Sequence, residues 1–225
     1  QSNPILIMHH STQGVVLNCT RYKDNAYIVS IFTRDYGKVS YTVYRPQSKQ
    51  AKIKMQHLQP MSILEMEVDH RENRDIQQLI EAKLHPVSYQ LYDSPQRMSI
   101  CFFMAEVIQK SLESINADTE LFYFIVQSIH YLSDNQTHGL FPIQFLLTYS
   151  KYIGIYPYDK LENEWIKHQN KADQQLLHTA LSNEGLLNLP EKRKVLQLLL
   201  SYYQYNLPGM GELKSLSVLT EIFSI

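Results

Sequence analysis

Seven glycines, two cysteines and a single tryptophan are few for 225 residues, and each scarcity removes a class of chemistry. Loops that cradle phosphates or dinucleotides need glycines at fixed spacing between a strand and a helix. Here only Gly209-Met210-Gly211 has the spacing ahead of a helix, without a preceding strand or a third glycine, so it reads as a helix break. Cys19 and Cys101 are far apart and outside any Cys-x-x-Cys pair, which leaves no zinc ribbon or redox motif. Free thiols in so cysteine-poor a chain fit a reducing compartment, here the cytoplasm. No two histidines have the spacing of a helical zinc site. No apolar run approaches the ~18 residues of a membrane span. The start lacks a basic-then-apolar signal pattern, Ile5 to Met8 being too short. Gln1-Ser2-Asn3 is set aside in reading the fold.

What is present is an uneven division of charge. The chain as a whole carries a formal −1, yet residues 1–58 hold eight Lys/Arg against Asp24 and Asp35. The rest of the chain is correspondingly acidic. Such asymmetry points to a polyanion meeting one end of the molecule.

The first part of the chain has the period of two expected of strands. Residues 12–20 and 26–33 read as strands joined by a turn at Arg21–Asn25, and Asp35-Tyr36-Gly37 turns into a third strand, 38–44. On that third strand Val39, Tyr41 and Val43 share one face and Ser40, Thr42 and Tyr44 the other. A fourth strand is expected over 61–69. Residues 74–84 fit a strand or a helix, and the strand completes a five-stranded barrel. From about residue 94 the period becomes 3.6. Ser94-Pro95 is a capped helix start. Helices are expected from Asp118 or Thr119, where the sequence is apolar nearly all round as in the centre of a bundle, and over 141–153, 172–182, 190–204 and 212–223. The fold class is therefore α+β: a small barrel domain over 1–85, then an all-α domain over 86–225, with the hinge at 85–94.

The chemistry concentrates in Thr33–Lys54. Arg34, Lys38, Arg45, Lys49, Lys52 and Lys54 are expected to contact phosphate, with Arg21 and Lys23 supporting them at the rim. Tyr36 and Tyr41 are candidate stacking platforms for unpaired bases. Tyr41 reads equally well as barrel core, and each lysine alone reads as a solvated charge. Glu65 and Glu67 share a strand face, but no acid or base partner is placed beside them, so no catalytic site is expected. His9-His10 reads as surface and His130 as a core residue with a hydrogen bond.

Several segments, in order, resemble the bacterial recombination-mediator family RecO. They are Gly14-Val15-Val16-Leu17; Ile31-Phe32-Thr33 with Tyr36-Gly37-Lys38; the basic arm leading to Leu58–Glu65; Met98-Ser99-Ile100 with Ala105-Glu106-Val107; Leu121–Ile125; and Leu213–Leu219. The resemblance spans about residues 12–223. It implies an N-terminal oligonucleotide/oligosaccharide-binding (OB) barrel, then a helical domain. It also implies binding of single- and double-stranded DNA, annealing of complementary strands, and work with RecR. Such proteins help the recombinase RecA displace single-strand-binding protein, whose acidic C-terminal tail docks on the helical domain. Some members carry a four-cysteine zinc motif there; Cys101 stands alone in this chain, so neither metal nor cofactor is expected. Two other readings stay open: a non-catalytic interaction scaffold with a docking barrel, and an enzyme whose site is assembled from residues distant in sequence.

Overall fold

The computed structural model describes residues 9–44, 51–112, 116–134, 139–157, 164–182 and 187–223. Strands β1 (His9–Lys23), β2 (Ala26–Thr33), β3 (Gly37–Tyr44), β4 (Ile63–Asp69) and β5 (Ile76–Leu84) close into a barrel in the order β1-β2-β3-β5-β4. Every neighbouring pair is antiparallel except β3 and β5. This is the OB arrangement. The ambiguous stretch 74–84 is thus a strand, which resolves the sequence alternative in favour of the barrel.

The first strand is longer than its β-branched stretch suggests, because it has two partners. His9–Val15 pair with β4 and Gly14–Lys23 with β2, with register shifts between Val16 and Asn18 and between Arg21 and Lys23. Extra residues at such bulges bend a strand enough to serve two neighbours. At the branch point a side chain on Gly14 would put Cβ 2.5 Å from Ile31 Cγ2 and 2.8 Å from Met66 Sδ. Only glycine lets the backbone approach that closely.

Alternation sorts each strand into an inner and an outer face. Val16, Val29, Ile31, Val39, Tyr41, Val43, Leu64, Met66, Val68, Leu79 and Ala82 fill the barrel. After the arm, Ile53, Met55 and Leu58 pack on that core; the last two belong to a 3₁₀ turn, Met55–Leu58. Sequence periodicity misses this turn, as it misses helices α1 (Val87–Leu91) and α5 (Glu164–Lys167), since each is too short to show a repeat.

The chain forms two compact units: residues 1–93 with 114–133, and 94–113 with 134–225. In the first, Ser88 of α1 accepts a hydrogen bond from the Ile63 amide at 3.0 Å. Helix α3 (Thr119–Asp134) belongs almost wholly to this unit, with Phe122 against Phe32 of β2 at 6.2 Å between ring centroids. Its apolar surface therefore covers the barrel, whereas the sequence suggested the middle of a helical bundle.

The second unit contains α2 (Pro95–Ser111), α4 (Phe141–Tyr152), α5, α6 (Lys171–Ser182), α7 (Leu189–Asn206) and α8 (Ser215–Phe223). Its helix starts and stops follow the local chemistry. Ser94 caps α2, Asn188 and Glu191 form a capping box on α7, and Gly154, with φ 73°, ends α4. Phe145, Tyr149 and Tyr203 stack in a row, and Tyr203 donates to the Leu146 carbonyl at 2.6 Å. Cys101 is buried in α2, which pushes its thiol up to about 12. Phe102 is 47% exposed, off the buried face that Cys101, Ala105 and Ile108 share. No helix among the described residues is long and apolar enough to cross a membrane.

Candidate nucleic-acid interface

Cross-strand partners share a face, so the register defines the outer surface of the meander. Asn18, Ser30 and Ser40 form one row, Thr20, Ile28 and Thr42 the next, and Lys23, Ala26 and Tyr44 the last. Lys38 lies on the same face of β3, opposite Phe32. Ile76 and Gln78 extend the first two rows onto β5. The surface is uncharged except for Lys38 and Lys23 at its two ends.

The expected cations separate along this face. Arg21 and Lys23 stand at the β1–β2 turn, where β3 also ends and the arm begins. Lys52 returns beside β5, its carbonyl accepting from the Ala82 amide at 3.3 Å and its ammonium 3.1 Å from Glu81. Lys54 is exposed just before the 3₁₀ turn. Arg45 and Lys49 lie outside the described residues. Arg34 is at the opposite end of β2, in the turn to β3.

Three of these side chains meet carboxylates. Arg21 is 3.3 Å from Asp24, and both are exposed. The Lys52–Glu81 pair is also at the surface. Such pairs are worth about 0–1 kcal/mol, so a phosphate can compete for the cation. Arg34 is held more firmly. It donates to Asp35 through Nε and Nη2, each at 3.1 Å, while Thr12 Oγ1 donates to the same carboxylate at 2.6 Å. The Asp35 contact raises the Arg34 pKa, and Tyr123 of α3 adds to it. Arg34 is thereby tied to its neighbour in the β2–β3 turn as well as being a cation.

The two tyrosines chosen from sequence are not open platforms. Tyr41 is 0% exposed inside the barrel, and burial raises its phenol pKa. Of its two sequence readings the core one holds, because position 41 falls on the inner face. Tyr36 packs over the core cluster with one ring face against His70, centroids 4.0 Å apart. Among the tyrosines of the barrel strands, Tyr22, at 58%, and Tyr44, at 66%, are exposed. The alternation had already put Tyr44 on the outer face. Tyr22 was hidden in a segment read as turn, whereas β1 runs through it to Lys23.

A second missed feature is the turn after β4. Asp69 is buried and accepts from Arg71 Nε at 3.0 Å and Arg74 Nη1 at 3.2 Å. The Arg71 hydrogen bond, more than Arg74, holds its carboxyl below the usual range despite burial. Glu72 and Asp75 share this turn, so it is not a basic patch. His9 and His10, read as surface, pair with Asp69 and Val68 as the start of β1. Glu65 accepts from Gln13 at 2.6 Å on the barrel exterior, and His9 Nδ1 lies 4.0 Å from Glu67 on the same strand.

The comparisons agree with this architecture. A family model described as "Recombination protein O N terminal" matches residues 8–87, and one described as "Recombination protein O C terminal" matches residues 92–158. The chain is 28% identical over 240 residues to a protein named DNA repair protein RecO from Azobacteroides pseudotrichonymphae, covering 96% of this chain and 100% of that one. A protein of the same name from Phocaeicola vulgatus is 29% identical over 243 residues with the same coverage. Another, from Flavobacterium psychrophilum, is 26% identical over 238 residues, again with 96% and 100% covered.

Proposed function

The chain belongs to the RecO family of DNA repair proteins, and on that premise we propose that it is a non-catalytic recombination mediator. It binds single- and double-stranded DNA, anneals complementary strands, and assists loading of a recombinase onto DNA coated with single-strand-binding protein. RecR and the C-terminal tail of single-strand-binding protein are its proposed protein partners, in the bacterial cytoplasm at the nucleoid. The observation that carries the DNA-binding part is the placement of Arg21 and Lys23 at the end of an outer sheet face that carries no acid, with Lys52 beside β5 and Lys54 exposed after it. Arg45 and Lys49 lie on the chain between these positions and join the same proposed contact set, with Lys38 farther along β3.

The physical role is screening. Lysine and arginine neutralise phosphates and release counterions without reading base edges. Two strands held this way repel each other less, and their bases stay available for pairing. No bond is made or broken, so no nucleotide or cofactor is required.

The test is annealing of complementary oligonucleotides, with and without single-strand-binding protein. Acceleration by the wild-type protein in both conditions is expected, with no cleavage or nucleotide hydrolysis. Absence of DNA binding would favour the interaction-scaffold alternative.

A further inference from the structure

We propose that Tyr22 and Tyr44 form a stacking step for unpaired bases at the cationic end of the barrel, a site that engages single strands and not duplex. The inference rests on the DNA-binding reading above and assigns part of its substrate selectivity to two side chains.

The argument starts from exposure. Tyrosine buries a large apolar ring when it can. Tyr22 and Tyr44 instead leave 58% and 66% of their surface in solvent. Both stand where strands end at the β1–β2 turn. Tyr44 is in register with Ala26, which is in register with Lys23. Tyr22 sits at the register shift next to Lys23. Two strand spacings, about 10 Å, separate the outer strands of this row. Ala26, on the strand between Lys23 and Tyr44, is buried, so the exposed ring of Tyr44 stands beside a covered strand end.

The electrostatics fit the same ligand. The Lys23 ammonium lies 5.2 Å from the centroid of the Tyr22 ring, a cation–π contact that covers part of the ring and orients it. Lys23 can then take a phosphate while a base stacks on the ring. Arg21 stands on the other side of Tyr22, and Arg45 follows Tyr44 in the chain. Two open rings among cations suit a partner that supplies flat faces together with negative charge. Unpaired nucleic acid has both. In a duplex the base faces are already stacked on each other, so only the cations can act.

The experiment compares Tyr22→Ala and Tyr44→Ala with wild type in the full chain, using a labelled oligothymidylate and a duplex of equal length. Tyr44→Trp serves as a ring-retaining control. Each alanine substitution is expected to weaken single-strand binding roughly 5- to 150-fold, the range for loss of one stacked base. Duplex affinity, the salt slope and the melting temperature should stay at wild-type values, and Tyr44→Trp should bind normally. Equal losses on single strand and duplex, or normal single-strand binding by folded alanine variants, would overturn the stacking step while leaving DNA binding intact. A wild-type protein that binds neither probe would instead remove the underlying reading, and this inference with it.

Discussion

The Tyr36 ring lies flat on His70, centroids 4.0 Å apart and planes 15° apart, and His10 approaches edge-on at 6.3 Å. Tyr36 also packs on the barrel core, so the stack closes one end of the barrel. Tyr36→Ala should therefore act through stability. A loss of about 2–3 kcal/mol is expected, less than for a fully buried aromatic. Chemical denaturation measures this directly. Single-strand affinity should change far less, and a large affinity loss in a variant of unchanged stability would contradict the closing role.

Two half-enclosed imidazoles, His70 in this stack and His57 beside Lys54, give the barrel a pH dependence. Burial, then the neighbouring His10, lowers the His70 pKa from the ordinary 6.5, outweighing the pull of Glu72 upward. Burial also lowers that of His57, with Lys54 acting the same way and a backbone hydrogen bond opposing. Both groups are lowered bases, so below about pH 6.5 the unfolded chain takes protons that the folded chain refuses. Stability should hold above that pH and fall as the pH drops below it. Melting curves across this window in wild type and in His57→Gln/His70→Gln will test the sign; equal pH dependence in both proteins would exclude these imidazoles as the cause.

Gly14→Ala tests the branch point of β1. The new methyl would meet Ile31 Cγ2 at 2.5 Å and Met66 Sδ at 2.8 Å. Met66 is a flexible side chain and can move, but Ile31 is on a central strand. Overpacking of this kind costs about 1–3 kcal/mol. Gly14→Ala/Ile31→Leu, which removes the β-branch methyl Cγ2, should recover part of the loss. No recovery would mean that Met66, whose Sδ would lie 2.8 Å from the new methyl, sets the limit.

Glu106 on α2 makes a clasp at the start of α8. Its carboxylate accepts from the Lys214 amide at 3.0 Å, the Ser215 amide at 2.8 Å and Ser215 Oγ at 2.7 Å. Lys110 lies 3.1 Å from the same carboxylate and donates to the Glu212 carbonyl. Burial opposes the charge, but the hydrogen bonds from Ser215, Lys214 and Lys110 outweigh it and lower the pKa. The stabilisation is present above the unfolded value near 4.5 and is lost as pH falls through the lower folded value. Glu106→Gln should cost about 1–3 kcal/mol at neutral pH and speed amide exchange in α8. Unchanged exchange would show that apolar packing alone holds that helix.

Much of this architecture could be read from periodicity. Alternation in β3 placed Val39, Tyr41 and Val43 inside, and Ser94 marked the start of α2. Other features depend on residues distant in the chain. The apolar face of α3 did not reveal that Phe122 would meet Phe32 of a barrel rather than another helix. A count of charges could not distinguish Arg34, tied to Asp35, from Lys54 in solvent. Tyr22 and Tyr44 are ordinary tyrosines until pairing of β1, β2 and β3 brings them to the same end.

That distinction among cations yields a ranking. Each phosphate contact on a single strand contributes roughly −0.7 to the slope of log K against log salt, so about four contacts would give a slope near −3. Lys52 gives up only a surface pair with Glu81 to meet a phosphate, and Lys54 is exposed. Lys52→Glu/Lys54→Glu should weaken single-strand binding and make the slope shallower by about 1.4, two contacts' worth. Lys49→Glu, in the same arm, should add a further step. Arg34→Ala should lower the melting temperature, because it leaves the Asp35 carboxylate without its partner, and should leave the slope nearly unchanged. If instead Arg34→Ala flattens the slope while the lysine reversals do not, the phosphates run past the β2–β3 turn and the cationic end at the β1–β2 turn is not where DNA is held.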